Sequence, residues 1–530
     1  MDLIDKNNLL SFVEKAEGFS GKYAIVEGQI HFNETLRNNP NLGAVIAAAR
    51  RRGFLSVTFH KPAEFEQKYA AGAVLKAEGD NELQEYLITL FRKAYAEKAS
   101  DIHIINMGNY ALIKMRILGL LIEYAQLDAN TGDKLVHIVY NRFSQQQNKT
   151  LFQSTGRQDS RIARRELLPD GVYSVRIHTE PIQSESPTAG NFMAMRLLYD
   201  STKAEGTLEK RMTMLGFEPS QIKVIEQLTN RGGLSLISGP TGHGKSTLLK
   251  HVMESMVENV PQKSYFSVED PPEYIIHGVC QIQVNTDSLE VQDDPEARAR
   301  GYRDAIAGAL RSDPDVIMIG EIRYAEAADA SIQAALTGHG IWATIHASDA
   351  FAVVSRLAGL LRQLGIEHPL DTICNSSVLS GLCYQRLLPV LCPNCKRRYL
   401  DLTDEQKRMA ISDDVRDRLI SVIKDDQWEN LYVVGDGCEE CRGRGYVSMT
   451  VAAETVLLDQ ELLHLLQEGK TLQARARWRQ KGGMSYVEHA ILKIGRGLVD
   501  PMAAETRLGV PLTHSLNFYE GEDDILSAKI

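Results

Sequence analysis

The chain has 530 residues, 43% of them hydrophobic and 24% charged, with a formal net charge of −10. That length suits several domains, each with its own core, and the acidic balance gives no basic footprint for nucleic acid. No apolar run reaches the roughly eighteen residues of a membrane span, and Asp2, Asp5 and Lys6 break up an N-terminus that lacks the layout of a secretory signal.

Residues 1–80 form a mixed segment that ends in the weak break Ala77-Glu78-Gly79-Asp80. From its position it is expected to dock a cytoplasmic-side partner. A helix is predicted from Asn81, because Leu83, Leu87, Leu90, Phe91 and Ala94 recur at helical spacing. Strand-like runs follow at 102–105 and 110–117, then a helical stretch at 132–143, then strands at 172–178 and 192–198. Residues 81–200 therefore read as an α+β domain. The polar stretch 201–216, with Gly206, reads as an interdomain linker. Over 217–390 apolar strands at 234–238, 264–268, 316–319 and 341–345 alternate with helices, the mark of a parallel sheet covered on both faces. Residues 391–450 are bounded by cysteines, and 451–530 read as mostly helical.

Gly239-Pro240-Thr241-Gly242-His243-Gly244-Lys245-Ser246-Thr247 fits the phosphate-binding loop pattern with no mismatch. A strand leads into it, and a helix with Leu248, Leu249, Val252, Met253 and Met256 leads out. The glycines let backbone N–H groups turn toward phosphate oxygens, and the helix N-terminus adds a favourable dipole. Lys245 is expected to neutralise the β- and γ-phosphates of ATP, and Ser246 to reach Mg²⁺.

Two carboxylates end strands downstream of the loop. Glu321 follows the apolar strand 316–319 and is the first candidate for handling metal and water; Glu269 follows 264–268, a strand expected beside that of the loop. The run 337–346 carries His339 before a strand and His346 after it. One or both are expected to sense the γ-phosphate; a core or capping histidine is the plain alternative.

Of the seven cysteines, Cys392, Cys395, Cys438 and Cys441 form two Cys-x-x-Cys pairs. Two such turns supply four thiolates for tetrahedral Zn²⁺ and leave no open position, so the metal would be structural. A redox role would need only one pair and a different fold context. Cys280, Cys374 and Cys383 read as small buried hydrophobes.

In order, the loop, Glu269-Asp270-Pro271-Pro272-Glu273-Tyr274, Gly320-Glu321-Ile322-Arg323 and the histidine run ending in His346-Ala347-Ser348-Asp349-Ala350 resemble the Walker A, Asp, Walker B and His boxes of the secretion ATPase superfamily. That superfamily powers type II secretion and type IV pili. Ala99-Ser100-Asp101-Ile102-His103, 157–162 and Gln385-Arg386-Leu387 extend the likeness over roughly residues 80–510. Departures fall at Tyr324, Leu118 and Ser448-Met449. The resemblance implies an α/β protein with a RecA-like P-loop domain, an N-terminal α+β domain of PAS-like type, a zinc-binding insert and a helical C-terminal region. It implies a homohexamer with ATP between subunits, and arginines given by the N-terminal domain, here Arg176 and Arg196. It also implies a cytoplasmic location, peripheral at the inner membrane through a platform protein. The four cysteines resemble those of pilus-extension and type II secretion motors. A retraction or type IV secretion traffic ATPase, a nucleic-acid translocase and a non-hydrolysing nucleotide-gated scaffold are the rival readings.

Overall fold

The computed structural model describes residues 23–26, 29–51, 56–62, 80–145, 151–184, 190–200, 206–284 and 295–514. Much of the segment expected to dock a partner, and residues 515–530, lie outside them. The chain divides into two compact units, one comprising residues up to Asp200 together with Gly437–Arg444, the other the remainder.

In the first unit, β1 (Tyr23–Val26), β2 (Gln29–Asn33) and β3 (Ser56–His60) make a small sheet accompanied by α1 (Leu42–Arg51). After α2 (Asp80–Ala96) come β4 (Asp101–Asn106), β5 (Tyr110–Ile117), β6 (Leu120–Asp128), α3 (Ala129–Ile138), β7 (Gln158–Ile162), β8 (Val172–Ile182) and β9 (Gly190–Tyr199). The six strands pair antiparallel in the order β6-β5-β4-β9-β8-β7. Burial alternates along β5 because successive side chains point to opposite faces. Leu83, Leu87 and Leu90 of α2, with Leu135 and Val136 of α3, pack on the apolar face. Glu97, at the end of α2, pairs with Arg442 at 2.7 Å and Arg444 at 2.5 Å.

The second unit opens with α4 (Leu208–Leu215) and α5 (Pro219–Thr229). From Thr207 onward the stretch expected as a linker is therefore a packed, capped helix. Thr207 Oγ1 accepts from the N–H of Lys210, Gly216 closes the helix in the left-handed conformation, and Leu208 and Met212 are buried. Its polar residues are those of an amphipathic outer face, and about two turns are too few for that pattern to declare itself.

β10 (Gly233–Ser238) and α6 (Lys245–Asn259) flank the loop. β11 (Tyr265–Glu269), β12 (Cys280–Gln283), α7 (Pro295–Leu310), β13 (Val316–Ile319), α8 (Ala325–Leu336), β14 (Gly340–Ile345), α9 (Ala352–Gln363), α10 (Pro369–Ile373) and β15 (Leu379–Leu391) follow. The sheet runs β12-β11-β13-β14-β10-β15 in parallel, and antiparallel β18 (Tyr446–Leu457) closes one edge. β11 is thus not beside β10, as expected from the sequence, but separated from it by β13 and β14, roughly 14 Å away at ordinary strand spacing. Strand order depends on where each crossover helix returns, which the order of motifs does not encode.

Both faces are covered, which explains the unbroken apolar strands. Ile317 and Ile319 of β13 enter a core with α8 and α9, while Val316 and Met318 enter another with α4, α5 and α6. Between β15 and β18 lie β16 (Arg397–Arg398), α11 (Asp404–Ala410), α12 (Asp413–Val422) and β17 (Tyr432–Val433). β18 crosses the boundary expected at residue 450 and belongs to the main sheet. Four helices complete the described chain: α13 (Gln460–Gln467), α14 (Thr471–Gln480), α15 (Tyr486–Gly495) and α16 (Pro501–Leu508).

Candidate nucleotide site

The loop 239–244 leaves the C-terminal end of β10, where parallel α/β sheets place their ligands. Gly239 sits at φ +146°, and a Cβ there would lie 2.4 Å from the carbonyl oxygen of Gln385, so only glycine fits. Gly244, at φ +77°, turns the chain into α6. The Lys245 ammonium donates to the carbonyls of Gly239 (2.8 Å) and Pro240 (3.0 Å), closing the loop on itself. Burial lowers its pKa, with the Glu321 carboxylate opposing. The loop is also tied to β15. His243 Nδ1 accepts from the N–H of Leu387 at 2.9 Å, and Gln385 Nε2 donates to the His243 carbonyl at 2.7 Å. Burial pushes the imidazole down to about 4, so it is neutral and its Nδ1 is free to accept. Thr247 Oγ1 meets the Tyr274 hydroxyl at 3.3 Å.

Register brings the second half of the site to the same edge. Ser238 pairs with Ile345, so His346 follows alongside Gly239; Ile319 pairs with Ala343, so Gly320 and Glu321 emerge next to them. Thr344 Oγ1 donates to the Gly320 carbonyl at 2.5 Å and fixes the turn from which Glu321 projects. The carboxylate receives His346 Nε2 at 3.1 Å and Arg323 Nη2 at 2.7 Å. Burial pushes the Glu321 carboxyl up, but Arg323, His346 and Lys245 outweigh it and hold it below the ordinary range. Burial and Lys245 lower His346, against Glu321.

Glu269 lies deeper. It accepts from Ser267 Oγ (2.7 Å) and Gln281 Nε2 (2.9 Å), and burial raises its pKa. A Cβ on Gly320 would sit 3.3 Å from Glu269 Cγ, so the two carboxylates flank Gly320. Of the two, Glu321 is the one coupled to Lys245.

His339 is elsewhere. It precedes β14, at the opposite end of the strand from His346, roughly 20 Å along it. Its Nδ1 lies against Thr337 Oγ1 (2.9 Å) and the Ala334 carbonyl (3.0 Å), where it helps end α8. The phosphate-sensing role considered for His339 is not compatible with this chain's own loop, because strand ends of opposite sense cannot share one edge.

In the first unit, Arg176 and Arg196 face each other across β8 and β9. Arg196 Nε donates to Asp101 Oδ1 at 3.0 Å. Arg176 is exposed, with no hydrogen bond or ion pair among the described residues. The Sγ atoms of Cys392, Cys395, Cys438 and Cys441 lie within 4.8 Å of one another, and those of Cys438 and Cys441 are 3.7 Å apart. A zinc tetrahedron with bonds of about 2.3 Å has sulfur–sulfur edges of about 3.8 Å, so the donor set fits structural Zn²⁺.

A sequence profile of the family described as type II/IV secretion system protein matches residues 76–507. The chain belongs to the type II/IV secretion system protein family. It is 32% identical over 389 residues to the type II secretion system protein E of Aeromonas hydrophila, covering 73% of this chain and 68% of that one. It is 31% identical over 417 residues to the type IV pilus assembly ATPase PilB of Thermus thermophilus, covering 78% of this chain and 42% of the relative. Among solved structures, the Legionella pneumophila ATPase DotB aligns over 80% of this chain and 96% of its own with a TM-score of 0.53 at 19% identity, a likeness of fold.

For this secretion-family chain, sequence reasoning gave no role to Arg323, although the residue was in view beside Glu321. Its signal was an arginine two residues after the carboxylate, on the same side of an irregular stretch whose middle residue, Ile322, is buried. The hold of Gln385 and Leu387 on the loop had no comparable signal, because 142 and 144 residues separate the partners.

Proposed function

We propose that the chain is a mechanochemical ATPase that works as a homohexamer to assemble a type IV pilus or a type II secretion pseudopilus. The observation that carries this reading is the convergence of Lys245, Glu321, Arg323 and His346 on one strand edge. In it, the loop amides and Lys245 hold the β- and γ-phosphates of ATP, Ser246 would hold Mg²⁺, and bound Mg²⁺ supplies charge neutralisation at the phosphates. Glu321 orients the attacking water and accepts its proton. His346, in contact with that carboxylate at 3.1 Å, reports the presence of the γ-phosphate. Glu269 supports the acidic side from below.

Arg176 and Arg196 then act from a neighbouring subunit, stabilising the charge that builds on the transferring phosphoryl group. Zn²⁺ held by Cys392, Cys395, Cys438 and Cys441 is structural. The names of the relatives, together with the four cysteines, favour assembly over retraction, traffic, nucleic-acid translocation or a silent scaffold. A platform protein of the inner membrane would receive the stroke, and the N-terminal segment would dock a cytoplasmic-side partner. Among the described residues no helix is long and apolar enough to cross a membrane. Phosphate release by the purified full chain, measured with its oligomeric state, tests the reading; a protein that binds Mg-ATP tightly yet releases no phosphate in any oligomeric form would refute it.

A further inference from the structure

His346 belongs to a short connection, residues 346–351, between β14 and α9. Three successive residues of that connection are held by groups from the C-terminal part of the chain. Asp349 receives Arg475 Nη2 of α14, and the same Asp349 oxygen caps α9 by accepting from the N–H of Ala352 at 2.9 Å. The N–H of Ala350 donates to Glu454 Oε2 of β18 at 2.9 Å. Phe351 lies under the Arg475 guanidinium, 4.9 Å from its centroid to Cζ, and edge-on to Trp478, one turn further along α14.

The node is buried. Arg475 is 4% exposed, and Glu454 is fully buried, accepting from Arg475 Nη1 at 3.3 Å and from the N–H of Tyr486 at 3.4 Å. Burying a carboxylate and a guanidinium is costly, and apolar residues of the same volume would often serve stability as well. What an ion node gives that apolar packing does not is directional fixation: a planar fork holds its acceptors in one geometry. The segment it fixes begins at the imidazole touching Glu321.

We propose that Arg475 is a positioning residue for the nucleotide site, acting through Asp349 and Phe351 on His346. This rests on the ATPase reading for its kinetic consequence but not for its structural one. Removing the Asp349 anchor lets the three-residue span from His346 drift. The loop amides and Lys245 are untouched, so nucleotide affinity is kept while turnover falls.

The test uses the full chain. Asp349→Asn and Arg475→Lys are compared with wild type in kcat, in the Kd of a fluorescent ATP analogue, and in the imidazole ¹⁵N resonances of His346, with Lys481→Ala, at the C-cap of α14, as a remote control. The expected result is a kcat lowered about tenfold or more, a Kd changed by less than about twofold, shifted His346 resonances, and no further loss of kcat when Asp349→Asn is added to His346→Asn. Arg475→Ala leaves two carboxylates unpaired and is prone to unfold, so Asp349→Asn carries the test. Unmoved His346 resonances in both variants, or a full additive loss in the His346→Asn background, would overturn the proposal. Shifted resonances in a chain whose wild type hydrolyses nothing would sustain the positioning role and strike the ATPase reading instead.

Discussion

Glu321 and His346 meet at 3.1 Å across the C-terminal ends of two neighbouring strands. Neither residue is near the other in sequence; the register of β13 and β14 makes them adjacent, and β14's pairing with β10 sets both beside the phosphate loop. A carboxylate held below its ordinary range and an imidazole in contact with it form a pair able to orient water and register a phosphate.

That pairing has a pH consequence. The folded pKa of His346 lies below its ordinary value, so between the two values the folded chain binds fewer protons than the unfolded one. Its contribution to stability is present above the unfolded value of about 6.5 and is lost as pH falls through the folded one. Glu321 behaves likewise in a lower window, because its folded pKa is below the ordinary carboxylate range. Turnover should therefore hold steady from pH 8 to below the ordinary imidazole value of about 6.5 and decline as pH falls through the lowered folded pKa of His346. His346→Gln should remove the first part of that decline in a kcat profile; a profile unchanged by the substitution would count against His346.

Gly239 gives a backbone test. Gly239→Ala places a methyl group 2.4 Å from the Gln385 carbonyl at a φ of +146°, which costs on the order of 1–3 kcal/mol of strain. Nucleotide affinity should fall by about tenfold or more, as read by titration with a fluorescent ADP analogue. An unchanged affinity would mean that the loop is not gripping phosphate in this shape.

The arginines predict a split between binding and chemistry. Arg196→Ala and Arg176→Ala should each lower kcat by about 10³-fold, the lower end for an arginine that stabilises phosphoryl transfer. ATP binding to the isolated subunit should be retained. Mixing either variant with Lys245→Ala chains should restore part of the activity in the mixed assemblies, since the intact loop and intact arginine then meet across subunits. Absence of rescue alongside full subunit exchange would place the arginines outside the shared site.

The cysteine cluster predicts one Zn²⁺ per chain by elemental analysis. Cys438→Ser should lower the metal content and expose residues 391–450 to protease, because structural zinc contributes folding energy directly. A zinc-free chain with unchanged protease resistance would contradict the structural role.

Much of this site could be read without coordinates because its chemistry is local. The loop needs glycines at fixed spacing, and Glu321 needs only to follow an apolar strand. The long-range relations could not. β11 looked like a neighbour of β10 because it follows next in the chain, yet two strands intervene. His339 and His346 looked equivalent because they bracket one strand, and that bracketing is what sends them to opposite edges. The helix Leu208–Leu215 was hidden by its polar face, and β15 by Gln385-Arg386 in the middle of its apolar run.

Hydrolysis at this edge is read by steady-state phosphate release from the full chain with Mg-ATP, set against Glu321→Gln and Lys245→Ala. The expected result is turnover in the wild type, a loss of 10²-fold or more (roughly, by analogy with removal of one transition-state contact) in both variants, and ATP binding retained in Glu321→Gln but not in Lys245→Ala. Phosphate release at the wild-type rate from either variant would contradict the assignment of the site.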